Sequence, residues 1–145
     1  FIVMAFCMIL TASTELGPNQ WIPKILTDTA EVSGILVLVW INGIMALGRQ
    51  FAGPIVHRLQ PSGMLLFSAV FSAIGLFWLS YAQGTMMTFA AATVFAVGVC
   101  YFWPTMLGFV AERCPRTGAV GLAVMGGIGM LSVSQTLPLM GAVYD

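Results

Sequence analysis

Apolar residues in this chain arrive in long blocks rather than alternating with polar ones. Five blocks stand out, at residues 1–26, 33–56, 63–82, 86–110 and 118–140. Each is near the ~20 residues that cross ~30 Å of hydrocarbon at ~1.5 Å per residue. Membrane strands would alternate polar and apolar positions, so the pattern predicts five membrane-spanning helices, each satisfying its own backbone polar groups. The first block is interrupted near residues 17–18, inside "TELGPNQWI" (residues 14–22). There a carboxylate, a Gly-Pro pair, two amides and a tryptophan follow an apolar run.

The connectors are short. "TDTAEVSG", "HRLQPSG", "AQGT" and "ERCPRTG" separate successive blocks, and glycine or proline punctuates three of them. No low-complexity linker occurs, so the expectation is one all-α polytopic helical bundle. Arg49, Arg58, Arg113 and Arg116 lie near the second and fourth connectors, whereas Lys24 sits on the other side with Asp28 and Glu31. The positive-inside rule makes the arginine side cytoplasmic. The N-terminal end of the chain then lies inside and Asp145 outside, in what is expected to be a plasma (inner) membrane.

Composition sharpens the class. Apolar residues are 59% of the 145 and charged residues only 7%. A soluble domain carries roughly 25% charged residues. Mean hydropathy is +0.98, and the solvent for most of this surface is lipid. The zero net charge and scattered basic residues exclude the electrostatic footprint of a nucleic-acid binder. Cys7, Cys100 and Cys114 are far apart and form no CxxC, and His57 is the only histidine, so neither a disulfide framework nor a metal site is expected. No cofactor is implied. The run from Phe1 lacks the basic leading region of a signal peptide, and the chain is expected to be a fragment of a longer protein.

The stretch "GRQFAGPIVHRLQPSG", residues 48–63, resembles the signature loop of the major facilitator superfamily. Gly48, Arg49, Gly53, Pro54 and Arg58 fit that loop. His57 stands where an acidic residue is usual, Gln60 where glycine is, and Ser62 where a basic residue is. Residues 102–145, with an aromatic-Pro-Thr motif, a short basic loop, a glycine-rich helix and a closing Pro-x-x-Gly, resemble helices ten and eleven of the fucose-permease-like sugar:proton symporter branch. "TELGPNQWI" is similar to that branch's helix seven. The resemblance implies an incomplete C-terminal half of the superfamily fold, helices seven to eleven, whose partner is a missing N-terminal half in the same chain. It also implies a cytoplasmic gating loop at Gly48, Arg49, Gly53, His57 and Arg58.

Candidate site residues follow from chemistry. Glu15 is a carboxylate within a membrane block, costly unless it faces a cavity or a partner, and such a group suits proton coupling. The alternative is that the helix ends near Thr14 and leaves Glu15 solvated or capping. Pro18 lacks the N–H that would bond the Thr14 carbonyl, so a break or kink is expected there. Asn19 and Gln20 offer donors and acceptors that suit sugar hydroxyls. Trp21 offers a face for a sugar ring, or an interfacial anchor.

Asn42 either faces a cavity or makes an interhelical hydrogen bond. Arg49 either gates or snorkels to the interface. Pro104 frees the Cys100 carbonyl, so a kink is expected beside Tyr101 and Thr105. Gln135 is the large polar group of the last block. The glycines of "GLAVMGGIGMLS" lack a preceding strand and a following Lys-Ser/Thr, which excludes a phosphate loop. Ala119, Ala123 and Gly127 form a small-residue stripe expected to pack against another helix.

Together these features lead to a secondary transporter of a small polar solute, sugar-like by resemblance, working by alternating access with a proton as the candidate coupling ion. The alternative is a non-transporting membrane scaffold or receptor-like protein. A membrane-embedded enzyme ranks below both, because one histidine and carboxylates placed mostly in connectors make a poor basis for the catalytic constellation it would need.

Overall fold

The structure, a computed structural model, describes residues 2–29, 33–51 and 60–144. Among them are six α-helices: α1 (Ile2–Thr29), α2 (Gly34–Gln50), α3 (Pro61–Tyr81), α4 (Thr85–Val99), α5 (Phe102–Arg113) and α6 (Gly118–Tyr144), with a 3-10 turn at Pro115–Thr117 before α6. Four segments are long and apolar enough to cross a membrane: Ile2–Asp28, Pro61–Tyr81, Thr85–Arg113 and Pro115–Tyr144. The chain is an all-α, multi-pass integral membrane protein. α2 has 17 residues, which at ~1.5 Å each is ~25 Å, near the short limit for a span. Residues 52–56, expected to complete that span, lie outside the described residues.

The chain forms two compact units: residues 1–18 with 102–145, and residues 19–101. In the second unit α3 and α4 run antiparallel and close together. Gly75 lies against the Phe95 backbone and Gly98 against the Ser72 backbone, so that a Cβ at either would collide with the opposite main chain. Small residues at such crossings let helices gain dispersion contacts where lipid supplies no hydrophobic drive. α3 buries Met64, Ser68, Ser72 and Gly75, and α4 buries Ala91, Ala92, Phe95, Ala96 and Val99.

α2 presents Val37, Ile41 and Met45, spaced four apart, as its buried face. Its contacts with α4 advance in the same direction: Trp40 with Thr93, then Met45 with Cys100, then Gly48 with Tyr101. α2 is therefore parallel to α4 and antiparallel to α3.

In the first unit α6 runs parallel to the first half of α1. Gly129 lies against Met8, Ser132 bonds the Ile9 carbonyl, Thr136 reaches Ser13, and Met140 lies against Gly17. The buried positions of α6 are Gly121, Met125, Gly129, Ser132 and Val133. The stripe expected from Ala119, Ala123 and Gly127 is exposed instead, and nothing lies within 4 Å of a Cβ built on Gly127. The buried stripe is displaced by two residues, through Gly121, Met125 and Gly129.

Two expectations about helix continuity change. α1 is not broken near 17–18 but runs through Pro18 as one helix. Pro18 removes a single hydrogen bond, whereas a full break would strand several backbone groups in hydrocarbon at several kcal/mol each. Conversely, the block expected to be one kinked helix is interrupted: Cys100 and Tyr101 form a turn between α4 and α5.

Candidate functional site

Two polar constellations stand out within otherwise apolar spans. The first centres on α1. Besides Gly17, its buried positions are Met8, Ala12, Glu15, Ile22 and Leu26, with half-buried Asn19 completing a stripe at spacings of three and four. Glu15 is 3% exposed and sits in mid-stripe, three residues before Pro18. The helix does not end at Thr14, so Glu15 is neither a cap nor solvated at a helix end. Asn19, one turn on, carries a buried Oδ1 with no hydrogen-bond partner among the described residues.

Beside this carboxylate in the chain lies a ladder of hydroxyls between α1 and α6. Ser132 Oγ donates to the Ile9 carbonyl at 2.9 Å. Its proton is thereby used, so Ser13 donates in the 2.5 Å contact between the Ser13 and Ser132 hydroxyls. Thr136 Oγ1 lies 2.9 Å from both Ser13 Oγ and the Ser132 carbonyl. Three hydroxyls thus form an ordered chain across a helix pair inside the membrane. Sequence reasoning missed Ser13, Ser132 and Thr136. The available signal was the pairing of Ser132 with Thr136 one turn apart in an apolar helix, since intramembrane hydroxyls pair across helices.

The second constellation is the turn between α4 and α5. Pro104 has no N–H for the Cys100 carbonyl, and Arg49 Nε supplies a donor at 3.1 Å. The turn answers with two donors of its own. Tyr101 Oη–H donates to the Gly48 carbonyl at 3.2 Å, and the Cys100 thiol donates to the Met45 carbonyl at 3.4 Å. Gly48 permits this approach: a Cβ there would lie 2.7 Å from Cys100 Sγ. Three hydrogen bonds therefore clamp the last turn of α2 to the interruption. Arg49, an exposed residue, also completes the end of α2, where a cation is favoured by the helix dipole.

The remaining candidates are dispersed. Gln20 and Gln135 are exposed. Trp21 is half-buried with the Lys24 ammonium 5.3 Å from its ring centroid, an arrangement suited to an interfacial residue. Asn42 is exposed and donates to the Leu38 carbonyl of its own helix at 2.8 Å. Thr105 is buried on α5, and its Oγ1 has no hydrogen-bond partner among the described residues. Gly53, His57 and Arg58 of the expected gating loop lie outside the described residues. The structure thus brings Gly48, Arg49 and Tyr101 together. It spreads Asn19, Gln20 and Trp21 around α1, as ~100° per residue requires.

Among the described residues no group of three or more His, Cys, Asp or Glu side chains converges as a metal site would. Comparison with protein-family models, with characterised proteins and with solved structures gives no match to this chain.

Proposed function

We propose that the chain is part of a secondary transporter that moves a small polar, sugar-like solute by alternating access. Glu15 is its proton-coupling or solute-contacting group. The observation that carries this reading is the burial of Glu15, at 3% exposure, in the middle of an apolar membrane helix. Keeping a carboxylate there costs several kcal/mol, and such groups mark ion and substrate pathways. Buried Asn19 Oδ1, one turn from Glu15 on the same helix, adds support, because an unsatisfied polar atom costs about 1–3 kcal/mol and a solute hydroxyl would satisfy it. In this reading the spans correspond to helices seven to eleven of a major facilitator superfamily transporter. An N-terminal half of the same polypeptide completes the pathway, and the arginine-bearing connectors face the cytoplasm.

The test is transport by the full-length polypeptide in proteoliposomes, with a panel of radiolabelled monosaccharides. An acid-outside gradient is expected to drive accumulation of at least one sugar. Glu15→Gln should abolish accumulation while sparing exchange between loaded and external sugar. Movement without any response to pH or to Glu15→Gln removes the coupling role. No movement of any sugar under any gradient favours the non-transporting scaffold.

A further inference from the structure

The lipid-facing side of α2 is not smooth. Leu36, Val39, Trp40, Gly43, Ile44 and Leu47, joined by Phe89 of α4, line a groove of about 480 Å³. These α2 positions recur at spacings of three and four, so they form one continuous stripe along the helix. The notch in that stripe is Gly43, where a built Cβ meets nothing within 4 Å. The absent side chain leaves room between Trp40 on one turn and Leu47 on the next.

One wall is fixed. Trp40 Nε1 donates to Thr93 Oγ1 at 2.9 Å, and Thr93 Oγ1 donates in turn to the Phe89 carbonyl at 2.8 Å. The Trp40 ring meets the Phe89 ring edge-on, with centroids 5.8 Å apart and planes at 78°. The indole is therefore held in one orientation, and its N–H, the polar side-chain atom of the lining, is already committed within the protein. What faces the groove is hydrocarbon and aromatic carbon.

The geometry points to a binding site for one acyl chain of a bilayer phospholipid. A polar solute finds no hydrogen-bond group there. A protein partner would bring hydrogen-bonding groups to its interface, and this lining offers none for them to meet. The volume instead falls among small-ligand sites, roughly 300–1,000 Å³. A flexible apolar chain fits a hydrocarbon-lined notch, and the bilayer around a membrane helix supplies it at high concentration. The preset Trp40–Phe89 wall lowers the ordering cost of taking it up. This inference stands apart from the transport reading and needs no solute.

The experiment uses the full-length polypeptide in detergent, with Trp40 as its only tryptophan after every other one, Trp21, Trp78 and Trp103 among them, is changed to phenylalanine. Phosphatidylcholine with brominated acyl chains, which quench indole on contact, is titrated in. Quenching of Trp40 is expected to saturate near equimolar lipid, and Gly43→Leu, which fills the notch, is expected to abolish that saturable phase. A protein retaining only Trp78, exposed on α3, should show quenching only as lipid accumulates in the micelle. Parallel curves for Trp40 and Trp78 would overturn the site, as would a Trp40 that resists quenching because protein covers it. Should the tryptophan-reduced protein fail to fold, a diazirine-bearing phosphatidylcholine is photolysed with the unmodified chain. Adducts concentrated on residues 36–47 and lost in Gly43→Leu support the site, and adducts spread over every span refute it.

Discussion

Arg49 Nε donates to the Cys100 carbonyl at 3.1 Å, the acceptor to which Pro104 brings no N–H. A residue at the end of one helix thereby satisfies the interruption in another. Removing it takes a charge-assisted donor from that carbonyl. Arg49→Ala is expected to lower stability in detergent by about 1–2 kcal/mol, the range for a hydrogen bond to a charged donor reduced for its partial exposure. Arg49→Lys should recover little of this, since an ammonium does not present the guanidinium's Nε–H geometry. Thermal unfolding of the three proteins in one detergent measures it. Equal melting temperatures for wild type and Arg49→Ala would show that the contact contributes nothing.

Gly48 and Cys100 should be coupled. A Cβ on Gly48 would stand 2.7 Å from Cys100 Sγ, so Gly48→Ala is expected to destabilise by about 1–3 kcal/mol through overpacking. Shrinking the partner relieves the clash. In a double-mutant cycle, Gly48→Ala with Cys100→Ala should cost less than the two single changes summed, by more than the ~0.5 kcal/mol scatter of independent sites. Strict additivity would mean that the α2 end is not seated on the turn.

Glycines of this chain should respond oppositely to the same substitution. At Gly98 an added methyl meets the Ser72 backbone, which has nowhere to move without separating α3 from α4. Gly98→Ala is expected to be strongly destabilising. At Gly127 the methyl meets nothing within 4 Å, and Gly127→Ala should be neutral or stabilise by about 0.5–1 kcal/mol through lower backbone entropy in the unfolded chain. Unfolding in mixed micelles ranks them. A reversed order would contradict the helix faces described above.

The contrast between these glycines shows what the sequence made legible. Block length and composition identified the helices because hydrocarbon demands internally bonded spans of fixed length. Pro104 located the weak carbonyl at Cys100, since a missing N–H is a covalent fact. Which face of each helix is buried was harder, because in lipid the outside is as apolar as the inside and no amphipathic signal marks the core. Hence the small residues at 119, 123 and 127 read as a packing stripe, while the buried one runs through Gly121, Met125 and Gly129. Likewise Glu15 was conspicuous by its charge. Its hydroxyl neighbours were not, because Ser13 meets Ser132 across 119 positions and Arg49 meets Cys100 across 51.

The hydroxyl ladder carries its own prediction. Ser132→Ala removes both the donor to the Ile9 carbonyl and the acceptor for Ser13, so it should cost more than Thr136→Val, whose hydroxyl bonds a carbonyl of its own helix as its alternative. Interhelical hydrogen bonds in membranes average about 0.6 kcal/mol with a maximum near 1.7 kcal/mol, so the Ser132→Ala loss is expected in the upper part of that range. Equilibrium unfolding in mixed micelles resolves it, and a Thr136→Val loss exceeding that of Ser132→Ala would contradict the proton order assigned to the ladder.

Orientation can be read from two positions flanking one crossing. Gln83 is exposed in the connector between α3 and α4, and Cys114 is half-buried between α5 and the 3-10 turn. The apolar segment Thr85–Arg113 separates them. Arg113 and Arg116 flank Cys114, so the positive-inside rule assigns that connector to the cytoplasm. A membrane-impermeant maleimide added to intact cells should therefore label Gln83→Cys. Cys114 should react only after the membrane is opened, and Cys100, 1% exposed, should stay unreactive in both cases. Labelling of both positions from the same side would mean that Thr85–Arg113 does not cross. Exchange of the two patterns would invert the orientation, leaving the alternation of the helices intact.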